Sequence, residues 1–124
     1  MKNLTDNEID SVLRSDRTFL ILFQNSNAPN TENLEAVFRE FDEKFQGKID
    51  VYLCDYLKQD KKIAQYFRMG VLPAMVMMRK NKAYANLAGP VSAARYKDMV
   101  TTGILKIMEE DEEAKALPDN EYTI

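Results

Sequence analysis

Histidine is absent from these 124 residues and cysteine occurs once, as Cys54. Without histidine, general-base catalysis through an imidazole is excluded. A single cysteine cannot close an internal disulfide, and with no histidine beside it a zinc site has almost no ligands to draw on. No cofactor or metal is therefore expected. Long apolar runs are missing too. The longest, Val71 to Met78, contains Pro73 and falls far short of the ~20 residues that span a bilayer. The N-terminal Met1-Lys2-Asn3-Leu4-Thr5-Asp6 lacks the apolar stretch of a secretory signal, which predicts a cytoplasmic protein unless a leader has already been removed.

What is present suits one globular domain: 45% hydrophobic and 30% charged residues in a length that supports a single core. The net charge of −3 hides a separation of charge along the chain. Residues 109–124 hold seven acids and one base, a local charge of −6, and leave 16 bases and 13 acids, or +3, in the remainder. An acidic run of this kind ordinarily solubilises a chain without folding, although it can also lie back on a basic body or mimic an acidic ligand.

Thr5 followed by Glu8 predicts a capping box for a short helix with Ile9, Val12 and Leu13 on its apolar side, ending near Arg14. Thr18 to Phe23 is apolar without alternation, as expected of a central strand covered on both faces. Leu34, Val37, Phe38, Phe41 and Phe45 recur at helical spacing, and Gly47 stops that helix. Ile49 to Cys54 follows as a second strand, with Ile49, Val51 and Leu53 on one face. A third helix is predicted over Asp60 to Phe67, and Pro73 to Met78 as a strand. Lys80-Asn81-Lys82 reads as a tight turn with Asn81 at positive φ, and Ala83 to Ala88 as the return strand. Ser92 then caps a last helix that directs Tyr96, Met99, Val100 and Ile104 toward the sheet. The first two strands, joined by a helical crossover, must be parallel.

Several segments are in register with one family. Asp42-Glu43-Lys44-Phe45-Gln46-Gly47-Lys48-Ile49 is similar to the helix end, glycine stop and strand start of bacterial thioredoxins. Phe67-Arg68-Met69-Gly70-Val71-Leu72-Pro73-Ala74 resembles the family segment that ends in a proline with a cis peptide bond, and Gly89 and Ser92 follow at the family spacing. The resemblance covers about residues 5 to 105. It implies an α/β thioredoxin-like fold: a central mixed sheet of four or five strands flanked by helices on both faces. Residues 1–108 would form this domain and 109–124 a flexible acidic tail. Asp55, Gln59, Ile63, Phe67, Pro73 and Ala74, leading into the Met-rich strand, also loosely resemble the thioredoxin-like chaperones of nickel-iron hydrogenase maturation (the HyaE type).

The departures from the family carry as much information. Where thioredoxins hold their two redox cysteines this chain has Ala28 and Thr31, with Pro29 and Asn30 between them, and the preceding tryptophan is replaced by Asn27. A thiolate at a helix start is stabilised by the helix dipole; Ala28 offers no nucleophile and Thr31 only an unactivated hydroxyl. The family's buried aspartate and its paired lysine correspond to Leu22 and Leu53. Losing one partner would strand a buried charge, whereas losing both can be neutral. The resemblance thus implies a redox-inactive protein rather than an enzyme. Its partner would be another protein or an extended peptide, held by main-chain hydrogen bonds where the loop Asn27, Ala28, Pro29, Asn30 and Thr31 faces Leu72 and Pro73.

Other features have plainer readings. Cys54 is expected to be a small buried hydrophobe, since nothing activates or resolves its thiol. Met69, Met75, Met77 and Met78 can form an adaptable surface, yet strand alternation sends at least half of them into the core. Arg79, Lys80 and Lys82 form a solvated patch or a docking rim for an acidic partner. The weak basic excess argues against nucleic acid, and nothing suggests a membrane. The function expected is a chaperone or assembly factor. The alternatives are an accessory subunit of a larger complex, or a thiol oxidoreductase using Cys54 alone.

Overall fold

The computed structural model describes residues 1–25, 31–58 and 62–116, with side chains in the helix that starts at Thr31 described from Asn33 onward. In chain order these residues form β1 (Lys2–Asn3), α1 (Ile9–Arg14), β2 (Thr18–Gln24), α2 (Thr31–Lys44), β3 (Ile49–Asp55), a 3₁₀ turn (Tyr56–Lys58), α3 (Lys62–Tyr66), β4 (Ala74–Arg79), β5 (Lys82–Ala88) and α4 (Ala93–Ala116).

The unbroken apolar run of β2 occupies the centre of the sheet, and all seven of its residues are buried. It pairs in parallel with β3, Leu20 opposite Val51 and Leu22 opposite Leu53, and antiparallel with β4, Leu20 opposite Met77 and Leu22 opposite Met75. The sheet order is β1-β3-β2-β4-β5. Strand alternation then divides the core in two. Leu20, Leu22, Val51, Met75 and Met77 pack with Leu34, Phe38 and Phe41 of α2 and with Tyr96, Val100 and Ile104 of α4. Phe19, Ile21, Phe23, Tyr52 and Cys54 pack on the opposite face with Ile9 and Val12 of α1 and Ile63 of α3. The fold is therefore the α/β arrangement expected, with helices on both faces and the five-strand option realised.

One open expectation, the number of strands, is resolved, and three local ones need correction. The fifth strand, β1, has only two residues, too few to show in a hydrophobic pattern; it exists because Lys2 and Asn3 lie parallel to Tyr52 and Leu53 at the sheet edge. Thr5 does not cap α1: its hydroxyl donates to the Glu8 carboxylate and its carbonyl accepts the Glu8 N–H, so a turn precedes a helix that begins only at Ile9. In the hairpin both Lys80 (φ 50°) and Asn81 (φ 65°) are left-handed, the two-residue turn whose twist matches the strands, and Lys82 already belongs to β5. The predicted third helix ends at Tyr66 rather than Phe67; it is described from Lys62, and its predicted start at Asp60 and Lys61 lies outside the described residues.

The last helix is longer than expected. Ser92 Oγ accepts the Arg95 N–H as predicted, and the helix then continues for 24 residues to Ala116. The segment assigned to a flexible acidic tail is therefore helical over residues 109–116, and 117–124 lie outside the described residues. Glu110 and Asp111 sit on the basic hairpin: Asp111 Oδ1 is 2.9 Å and Glu110 Oε2 3.5 Å from Arg79, and Glu110 also pairs with Lys82 and accepts from the Tyr84 hydroxyl. Gly103 allows the close approach, because a Cβ there would lie 2.9 Å from Met77 Sδ and 3.0 Å from Ala85 Cβ.

Candidate functional site

Gln24 ends β2, Leu34 lies in the first turns of α2, and the segment from Met69 to Pro73 runs back toward β4. Between them opens a cavity of about 560 Å³, also lined by residues 90–93, which lead into α4. The Leu72–Pro73 peptide bond is cis. Among the described residues, none that lines this groove is charged, in a chain where 30% of residues are. Gln24, Asn25 and Asn33 contribute amide side chains to its lining, and Leu57, Leu72 and Val91 contribute apolar ones. Leu57 is 64% exposed and Val91 46%, and Val71 beside them is 51% exposed, so apolar side chains stand in water around the mouth.

Two tyrosine hydroxyls brace the walls. The Tyr56 hydroxyl donates to the Phe67 carbonyl at 2.9 Å and accepts the Met69 N–H at 3.3 Å, pinning the segment that leads to Pro73. The Tyr96 hydroxyl shares its proton between the Gly89 carbonyl at 2.7 Å and the Pro73 carbonyl at 2.9 Å, and burial pushes its pKa up to about 12. Neither role was visible in sequence. Tyr96 reads simply as an apolar position of the last helix, and Tyr56 follows a strand with no periodic signal.

Leu72 and Pro73, of the predicted binding residues, line the groove. Thr31 is the first residue of α2. Asn27, Ala28, Pro29 and Asn30 lie outside the described residues, so the loop half of the predicted site is not placed. Sequence reasoning missed Gln24, the polar residue that ends an apolar strand. It is 2% exposed, and its Nε2 donates to Glu35 Oε1. Met69 lines the groove, Met75 and Met77 are core, and Met78 is half-buried.

Leu22 and Leu53 are opposite each other in the β2–β3 register and belong to one apolar cluster, Leu22 with no exposed surface. Cys54 faces the other layer, fully buried, and burial together with the nearby Asp55 and Asp6 charges pushes its thiol up to about 12. At neutral pH such a thiol is protonated and out of contact with solvent. Among the described residues no group of three or more His, Cys, Asp or Glu is placed to hold a metal ion, and no helix is long and apolar enough to cross a membrane.

No protein-family model and no curated protein matches this sequence. Solved structures do. The chain superposes on a designed protein at a TM-score of 0.69 and 15% identity, covering 86% of this chain and 90% of that one. It superposes on the thioredoxin of Malassezia sympodialis at 0.67 and 15%, covering 83% and 90%. With Deadhead, the germline-specific thioredoxin of Drosophila melanogaster, the values are 0.66 and 17%, covering 82% and 96%. At these identities the likeness is one of fold: the chain has the thioredoxin fold.

Proposed function

We propose that this thioredoxin-fold chain is a redox-inactive protein-binding module, a chaperone or assembly factor that holds an extended, uncharged segment of another polypeptide in the groove beside Leu72 and Pro73. The observation that carries this is the groove's composition: amide and apolar side chains, no charged residue among the described ones, and Leu57, Val71 and Val91 exposed in or beside it. Exposed apolar surface around a concave site marks binding rather than solubility. Backbone amides of an extended guest would meet the Asn33 side chain while its side chains pack on the apolar lining residues, as in strand-type peptide recognition. Thiol chemistry has no part in this reading, because the one cysteine is buried and protonated. The loose resemblance of residues 55–74 to hydrogenase-maturation chaperones makes a metalloenzyme precursor one class of client.

A second reading, accessory subunit of a larger complex, draws on Leu105 and Met108, which are 59% and 54% exposed on the outer side of α4. Capture of partners from the native host, followed by titration of the captured partner's peptides, separates the two. In the first, Leu57→Glu and Val91→Glu variants stay folded and lose binding. Retained binding in both, with loss on Leu105→Glu and Met108→Glu, favours the subunit. Insulin reduction with dithiothreitol tests the redox part: turnover above the buffer control that disappears in Cys54→Ser would overturn it.

A further inference from the structure

Arg79 and Lys82 flank the hairpin turn and lie directly opposite each other in the β4–β5 register. Like charges facing across a strand pair repel, so this arrangement calls for an anion. Both cations gather at one ring: the Arg79 guanidinium carbon is 5.4 Å and Lys82 Nζ 4.9 Å from the centroid of Tyr84. Arg79 Nη2 also donates to the Tyr84 hydroxyl at 3.5 Å. Tyr84 itself is the residue left over where Met77 faces Ala85 and Met78 faces Ala83, a bulge of the kind that re-aims a side chain. The hairpin thus builds one cluster of two cations and a phenolic hydroxyl.

The carboxylates that answer this charge come from the end of α4. Asp111 Oδ1 lies 2.9 Å from Arg79 Nη1, and Glu110 is divided among Arg79, Lys82 and the Tyr84 hydroxyl. Among the described residues Ile107 is the last buried side chain of α4; from Met108 to Lys115 every one is exposed or half-buried. Polar contacts rather than apolar packing therefore hold the final turns. Ion pairs at such exposure are worth little and are screened by salt, so the docked end is displaceable.

We propose that Arg79, Lys82 and Tyr84 form a docking site for an acidic segment of a partner protein, one carrying adjacent carboxylates, and that Glu110 and Asp111 occupy it intramolecularly as an autoinhibitory stand-in. A carboxylate-rich peptide fits because the occupant present is one. The partner then binds in proportion to the fraction of molecules whose α4 end is undocked, and removing the internal carboxylates raises its apparent affinity. None of the three residues lines the groove beside Leu72 and Pro73, so the site stands independently of the groove reading.

The probe is a fluorescein-labelled Glu-Glu-Asp-Glu-Glu amide, which copies residues 109–113, titrated with the full chain at low ionic strength and read by fluorescence anisotropy. Glu110→Gln combined with Asp111→Asn should tighten binding about three- to tenfold. Glu112→Gln combined with Glu113→Gln makes the same change of net charge at exposed positions and should leave binding unchanged within about twofold. Lys82→Met, at a side chain 60% exposed and made in the Glu110→Gln, Asp111→Asn background, should weaken binding several-fold without endangering the fold. In the native chain, saturating peptide should lower amide protection over residues 108–116 and leave 96–107 protected. The proposal is overturned by no saturable binding to the Glu110→Gln, Asp111→Asn chain, equal tightening by the two double variants, or an unchanged affinity on Lys82→Met. Retained protection over 108–116 at saturation, or equal binding of an oligothymidylate of the same charge, overturns it as well.

Discussion

Replacing Leu22 with aspartate probes the apolar pair that it forms with Leu53. Leu22 has no exposed surface and is flanked in the sheet by Leu53 and Met75. Losing the leucine side chain costs about 2–3 kcal/mol of burial. A neutral carboxyl without a partner adds about 1–3 kcal/mol, and each unit by which burial raises its pKa adds about 1.4 kcal/mol at pH 7. The total, about 5 kcal/mol or more, reaches the lower end of the stability of a whole domain. The sign with pH is definite. The folded pKa lies above the unfolded value of about 3.9, so the ionisation part of the loss is full above the folded pKa and shrinks as pH falls toward about 4. Urea denaturation at pH 7 and near pH 5 reads both parts. Adding Leu53→Lys should then recover about 1–3 kcal/mol as coupling between neighbours. A loss below about 1 kcal/mol, or one that does not change with pH, would refute the reasoning.

Gly103→Ala ought to raise helix propensity by about 1 kcal/mol, yet the added Cβ would meet Met77 Sδ and Ala85 Cβ at 3.0 Å or less. Net destabilisation by about 1–2 kcal/mol in thermal or urea unfolding is expected, and a stabilised variant would show that α4 can ride higher on the sheet. Tyr96→Phe should cost only about 1 kcal/mol, because Pro73 O keeps the Gly89 N–H and Gly89 O keeps the Val91 N–H; urea denaturation checks it. Hydrogen bonds to Lys82 and Tyr84 hold the Glu110 carboxyl below its ordinary 4.5. The docking of the α4 end is therefore present above that pH and lost as pH falls through the depressed folded value. Amide protection factors over residues 105–116, corrected for the intrinsic exchange rate at each pH, should fall under acid and with added salt in the native chain, and respond less to both in Glu110→Gln.

The sequence by itself determined the layered core and, with one cysteine in 124 residues, the absence of a thiol pair. The unalternating run of β2 demanded cover on both faces, and the 3.6-residue periods of α2 and α4 marked the elements that provide half of it. Those signals are local: they depend on residues a few positions apart, which share a face whatever the rest of the chain does. Tertiary structure alone decided what depends on distant partners. The two-residue β1 is a strand only because β3 lies beside it. The acidic stretch reads as solvated until the hairpin, some thirty residues earlier, presents Arg79 and Lys82 to Glu110 and Asp111. Gly103 looks like a helix weakness until Met77 and Ala85 come within 3 Å of its missing Cβ. Gln24 is an unremarkable strand end in sequence. Its burial and its place in the lining of the groove exist only once α2, β3 and the turn after it have closed around it. Long-range packing sets which polar atoms lose water, and no window of local sequence records that.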